Sequence, residues 1–149
     1  MTNKYSESYM LEAIHESHRS HCAKIQVGCI GVSENGMVVG RGANRSPSDI
    51  VPCTVKLCKA YFDANESCPV VHSEIDMLIG MGRTPRLYAV YITRYPCVKC
   101  ALALSVAGCE ILYYLTPNQK PWDIPSGFSM EMMLAELSKE KSDDQNTDV

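Results

Sequence analysis

The run LYAVYITRYPCVKCALALSVAGCEILYYL, Leu87–Leu115, decides the fold. Leu87 to Thr93 is dense in β-branched and aromatic residues and reads as a strand buried on both faces. Pro96 suits a chain that leaves a strand and enters a helix. Cys97 to Ala107 is apolar nearly all round, so it reads as a helix covered on several sides, with Gly108 as its stop. Ile111 to Leu115 is a second buried strand. Strand, helix, strand in this order predicts a right-handed crossover between parallel strands.

Moving outward, residues 5 to 19 place Met10, Ala13, Ile14 and Ser17 on one helical stripe, which predicts core packing. His15, His18 and His21 cluster there among Glu12, Glu16 and Arg19, a pattern that fits a solvated face better than a metal site. Val27–Val32 and Met37–Arg41 read as an antiparallel pair around the turn signal Glu34-Asn35-Gly36. Ala43 to Val71 is a long connection holding Asn44, Pro47, Pro52, Pro69 and three cysteines, with a short helix expected over Val55–Phe62. His72 opens a helix through about Met81, ended by Gly80 and Gly82 with Pro85. Phe128 to Leu137 places Met130, Met133, Leu134 and Leu137 on one face and predicts a last helix. Residues 1–140 then form a single domain, and 141–149 a polar, frayed tail.

The bulk numbers narrow the function. A chain of 149 residues with 46% hydrophobic content supports one domain with a real core. The formal net charge of −3 weighs against a nucleic-acid partner, which needs clustered Lys and Arg, but permits a small phosphorylated one. No apolar run reaches membrane-spanning length, and the first residues lack the layout of a signal peptide. The expectation is a soluble, cytoplasmic protein with no membrane partner. Eight cysteines in such a compartment point to metal ligation before disulfides.

The chemistry lies in His72-Ser73-Glu74 and Pro96-Cys97-Val98-Lys99-Cys100. One imidazole and two thiolates leave a fourth zinc position for water. Cys97 and Cys100, three apart at a helix start, aim their sulfurs the same way. Glu74, two residues after His72, suits a carboxylate beside the water rather than on the metal, where it acts as general base and then general acid. Alone, H-x-E means little and C-x-x-C fits a redox pair. An all-thiolate structural site using Cys97, Cys100 and two further cysteines is the competing reading, and it leaves His72 and Glu74 without a role.

Together, H-x-E and P-C-x-x-C resemble the zinc-dependent nucleobase deaminases. The chain is similar to the cytidine deaminase superfamily, and within it to the deoxycytidylate (dCMP) deaminases of the phage type, over about Lys24 to Trp122. Lys24-Ile25-Gln26-Val27-Gly28 resembles the family's first-strand entry, and Gly42-Ala43-Asn44-Arg45-Ser46-Pro47 its Gly-Tyr-Asn-Gly-x-Pro segment. The resemblance implies a three-layer α/β/α fold, a mixed sheet of four to five strands with helices on both faces. It implies catalytic zinc on His72, Cys97 and Cys100, Glu74 as proton shuttle, Asn44 on the sugar and Tyr95 near the base or sugar. It further implies a second, structural zinc at Cys22 and Cys53, to which Cys58 and Cys68 are natural additions, and a homo-oligomer such as a hexamer. Arg45 and Ala43 depart from the family's glycine and tyrosine, so control by dCTP does not carry over. Nothing after Leu137 matches the family's final strand, which reduces the expected sheet to four.

The leading expectation is hydrolysis of dCMP to dUMP and ammonia. A 5′-phosphate needs a cation, and Lys24, Arg45, Arg94 and Lys99 are candidates, with Arg45 and Arg94 flanking the substrate residues. The alternatives are deamination of a free nucleoside, another cytosine nucleotide or an RNA base, or a zinc-stabilised binding protein without turnover.

Overall fold

In this computed structural model, which describes residues 6–46, 70–82, 86–116 and 129–132, the patterns resolve into eight elements. Helix α1 spans Ser6–Ser17, β1 Gly28–Val32, β2 Val38–Ala43 and α2 Ser73–Met81. Strand β3 spans Ala89–Arg94, α3 Val98–Val106, β4 Ile111–Thr116 and β5 Ser129–Met132.

The strands form one sheet in the order β2-β1-β3-β4-β5. Strand β1 runs antiparallel to both β2 and β3, while β3, β4 and β5 are parallel. The β1–β2 hairpin closes through Gly36 N–H to the Ser33 carbonyl and Ser33 N–H to the Met37 carbonyl, both at 2.9 Å. Gly36 takes φ 79°, a conformation only glycine adopts without strain. The expected turn is therefore present, carried by its glycine.

Side chains alternate between the two faces of the central strands, as strand geometry requires. Ala89 and Tyr91 join Ile30, Val32, Met10 and Ala13 beneath α1. Val90 and Ile92 join Met77, Ala101, Leu104 and Leu112 beneath α2 and α3. Each fully buried aliphatic side chain contributes about 1.5–3 kcal/mol. Helices on both faces of a mixed sheet give the three-layer α/β/α architecture expected from the resemblance. Outside the core, Arg41 ties β2 to α1 through Glu12 at 2.6 Å.

Two expectations are corrected. The helix over Phe128–Leu137 is replaced at Ser129–Met132 by a strand paired in parallel with β4, Ile111 facing Ser129. Ser-Met-Glu-Met alternates with period two as well as fitting a helical stripe, and the open backbone edge of β4 decides between them. Among the described residues the sheet consequently has five strands, the upper end of the four to five expected. The second correction concerns α3, which buries Cys100, Ala101 and Leu104 but leaves Val98, Leu102 and Val106 exposed at 42%, 45% and 90%. Within one chain this helix is covered on one side. The expected helix at Val55–Phe62, the residues from 133 onward and Cys53, Cys58 and Cys68 lie outside the described residues.

Candidate active site

The site forms where two helices begin. His72 is the N-cap residue of α2 and Cys97 that of α3, both with extended backbone. Helix α3 starts just beyond the carboxyl end of β3, the end of an α/β strand where ligands are commonly bound. Both helix starts bring their partial positive charge to the end of the sheet where His72, Cys97 and Cys100 lie. Cys97 Sγ also accepts the Cys100 N–H at 3.5 Å, which caps the helix and fixes the sulfur.

His72 Nδ1 lies 3.4 Å from Cys100 Sγ and 3.7 Å from Cys97 Sγ. All three ligand atoms fall within 4.8 Å of one another. Tetrahedral zinc with ordinary bond lengths sets nitrogen and sulfur about 3.6 Å apart, so the triangle fits that ion. Among the described residues this is the one group of His, Cys, Asp and Glu that converges so closely. Burial, the Glu74 charge and Cys97 push the Cys100 thiol upward. A divalent cation at the triangle opposes all three, because only thiolate ligates.

Glu74, in the first turn of α2, is 3% exposed. Ser73 donates its hydroxyl to Glu74 Oε2 at 3.0 Å, a contact that no local pattern foretells. Burial raises the Glu74 carboxyl above its ordinary range, against its own backbone N–H, the Ser73 hydroxyl and His72. A carboxyl poised this way holds and releases protons nearer neutrality.

The other sequence candidates divide. Asn44 follows β2, and its carboxamide accepts the Val27 N–H and donates to the Ile25 carbonyl, each at 2.8 Å. It therefore anchors the chain entering β1 and keeps one amide hydrogen and one lone pair for other partners. Tyr95 packs edge-on against Tyr114, centroids 5.0 Å apart. Arg45 Nε lies 2.7 Å from Asp76 Oδ1, and Asp76 Oδ2 accepts the Ala43 N–H at 3.2 Å. Asp76 was missed in the sequence, since nothing local connects it with a segment thirty residues earlier. Arg94 ends β3 half-buried, while Lys24 and Lys99 are exposed. Cys22 is half-buried and its sulfur accepts the Ile25 N–H at 3.4 Å. The exposed His15 and His18 stand edge to face, centroids 6.3 Å apart. A cavity of about 750 Å³ lined by Tyr9, Tyr88, Tyr91 and Tyr113 lies on the α1 side of the sheet, away from the triangle.

A mixed sheet that presents one imidazole and two sulfurs beside a buried carboxyl defines a candidate metal centre. The family described as cytidine and deoxycytidylate deaminase zinc-binding region matches residues 3–116, and the chain belongs to it. A probable deoxycytidylate deaminase of Caenorhabditis elegans is 32% identical over 101 residues, covering 66% of this chain and 51% of that protein. The deoxycytidylate deaminase of Schizosaccharomyces pombe is 28% identical over 122 residues, covering 75% of this chain and 38% of that one. The chain thus spans about half or less of the length of these two relatives. A dCMP deaminase from the cyanophage S-TIM5, solved with dCMP and dUMP, superposes with a TM-score of 0.71 at 26% identity. That match covers 89% of this chain and 99% of the phage protein.

Proposed function

We propose that this chain hydrolyses dCMP to dUMP with release of ammonia. The observation that carries the reading is the His72–Cys97–Cys100 triangle with the buried Glu74 carboxyl two residues from its imidazole. The choice of dCMP is supported by likeness to the cyanophage enzyme over nearly the full length of both chains.

Bound at the triangle, zinc supplies Lewis acidity that brings the pKa of a water to about 7. Glu74 takes a proton from the water that attacks C4 of the cytosine ring. It delivers that proton to ring nitrogen N3. The carboxyl then moves the second proton of the water to the departing amino group, so that ammonia leaves and a carbonyl forms at C4. The Ser73 hydroxyl holds one carboxylate oxygen and orients the other toward the reacting atoms. Asn44 and Tyr95 border the sugar and base.

The test is ammonia release by the zinc-loaded chain from dCMP, dCTP, cytidine, deoxycytidine and adenosine. Highest kcat/KM on dCMP is expected. A higher value on a nucleoside moves the substrate assignment, and no ammonia from any of them removes the deaminase reading.

A further inference from the structure

Cationic side chains near the triangle differ in what already holds them. Among the described residues, Arg45 is paired with Asp76 through Nε at 2.7 Å. Asp76 uses its second oxygen on the Ala43 backbone, one turn of α2 below His72. The Arg45 backbone also bridges Val71, with N–H to O distances of 3.0 and 2.8 Å. These contacts fasten the end of β2 to the start of α2. The Asp76 charge also offsets that of Arg45, which weakens any pull on an anion.

Arg94 stands differently. It is half-buried, and no carboxylate among the described residues pairs with it. Strand alternation places it with Val90 and Ile92, on the face that carries α2, α3 and the triangle. It precedes Cys97 by three residues, so their Cα atoms lie within about 11 Å, a span that one nucleotide covers from base to phosphate. A guanidinium that is partly desolvated and unneutralised is suited to a planar, bidentate grip on a phosphate.

We propose that Arg94 binds the 5′-phosphate of the substrate and is the residue that separates nucleotide from nucleoside, whereas Arg45 is a positioning residue clasped by Asp76. The assignment rests on the deaminase reading above and names its phosphate contact.

The experiment compares kcat/KM for dCMP and deoxycytidine in the zinc-loaded wild-type chain and in Arg94→Gln, Arg94→Lys and Arg45→Gln. The dCMP-to-deoxycytidine ratio is expected to fall roughly 10- to 100-fold in Arg94→Gln, as for loss of a charged hydrogen bond. Arg94→Lys recovers part of it, since charge returns without the fork. Arg45→Gln keeps the wild-type ratio. An unchanged ratio in Arg94→Gln, or an equal or larger fall in Arg45→Gln, overturns the assignment. Should Arg94→Gln fail to fold, Arg94→Lys decides alone, because its ratio must still drop below wild type. A wild-type chain inactive on both substrates sinks the dCMP reading instead. Calorimetric binding of dUMP against deoxyuridine to wild type and Arg94→Gln then still reads the phosphate preference.

Discussion

At the scale of single residues, the candidate site buries a carboxyl beside the His72–Cys97–Cys100 triangle. Glu74 is shielded from water, hydrogen-bonded by Ser73 and two residues from His72. Replacing it with glutamine keeps shape and removes the carboxyl proposed to carry protons. Glu74→Gln is expected to retain zinc and fold while kcat drops by about 10²–10⁴. Zinc content and steady-state kinetics check this, and a folded, zinc-loaded variant at full rate overturns the role proposed for Glu74. Cys109 tests burial elsewhere. Burial pushes its thiol up to about 12, and Glu110 adds to this, while the Ile111 and Val90 backbones act in the opposite direction. An unfolded thiol ionises near pH 8.5. The fold therefore holds this proton more tightly than the unfolded chain does. The stability it contributes is complete below about pH 8.5 and is lost as pH rises toward 12. Urea midpoints measured from pH 8 to 11 are expected to fall, and to fall less in Cys109→Ala.

At the scale of elements, the decisive contact lies between β2 and α2. A Cβ at Gly42 would overlap the Ser73 carbonyl oxygen and press on the Met77 backbone. Glycine there lets the first turn of α2 settle on the sheet, which sets His72 opposite the start of α3. Gly42→Ala is expected to cost about 1–3 kcal/mol, as overpacking does. Because α2 carries a ligand, zinc affinity drops along with thermal stability. Thermal melts and competition with a chromogenic chelator measure both. Affinity that stays unchanged while the melting temperature falls would show that His72 tolerates a shifted helix.

At the scale of the whole molecule, the outer face of α3 is unfinished. Val98, Leu102 and Val106 recur every four residues and leave a stripe in water, with Val106 at 90% exposure. Ile79 of the neighbouring helix α2 is also 67% exposed. A second copy of the chain is expected to cover this surface, in line with the homo-oligomer implied by the resemblance. Light scattering should give a mass above the 16.5 kDa of one chain. Leu102→Glu, which buries charge only at great cost, is expected to return the mass to that of a monomer. A wild-type monomer at micromolar concentration refutes this.

By itself the sequence determined the His72, Cys97 and Cys100 group, the carboxyl beside it and the strand–helix–strand unit that presents them. Each is local: periodicity marks the elements, and the spacing of Cys97 and Cys100 on a helix start fixes their direction. The long-range partners were decided only by the fold. Asp76 meets Arg45, Ser73 packs under Gly42 and β5 chooses pairing over helix because distant backbone comes within hydrogen-bonding reach. Such meetings depend on how β2, β4 and α2 are stacked, and no window of neighbouring residues encodes that.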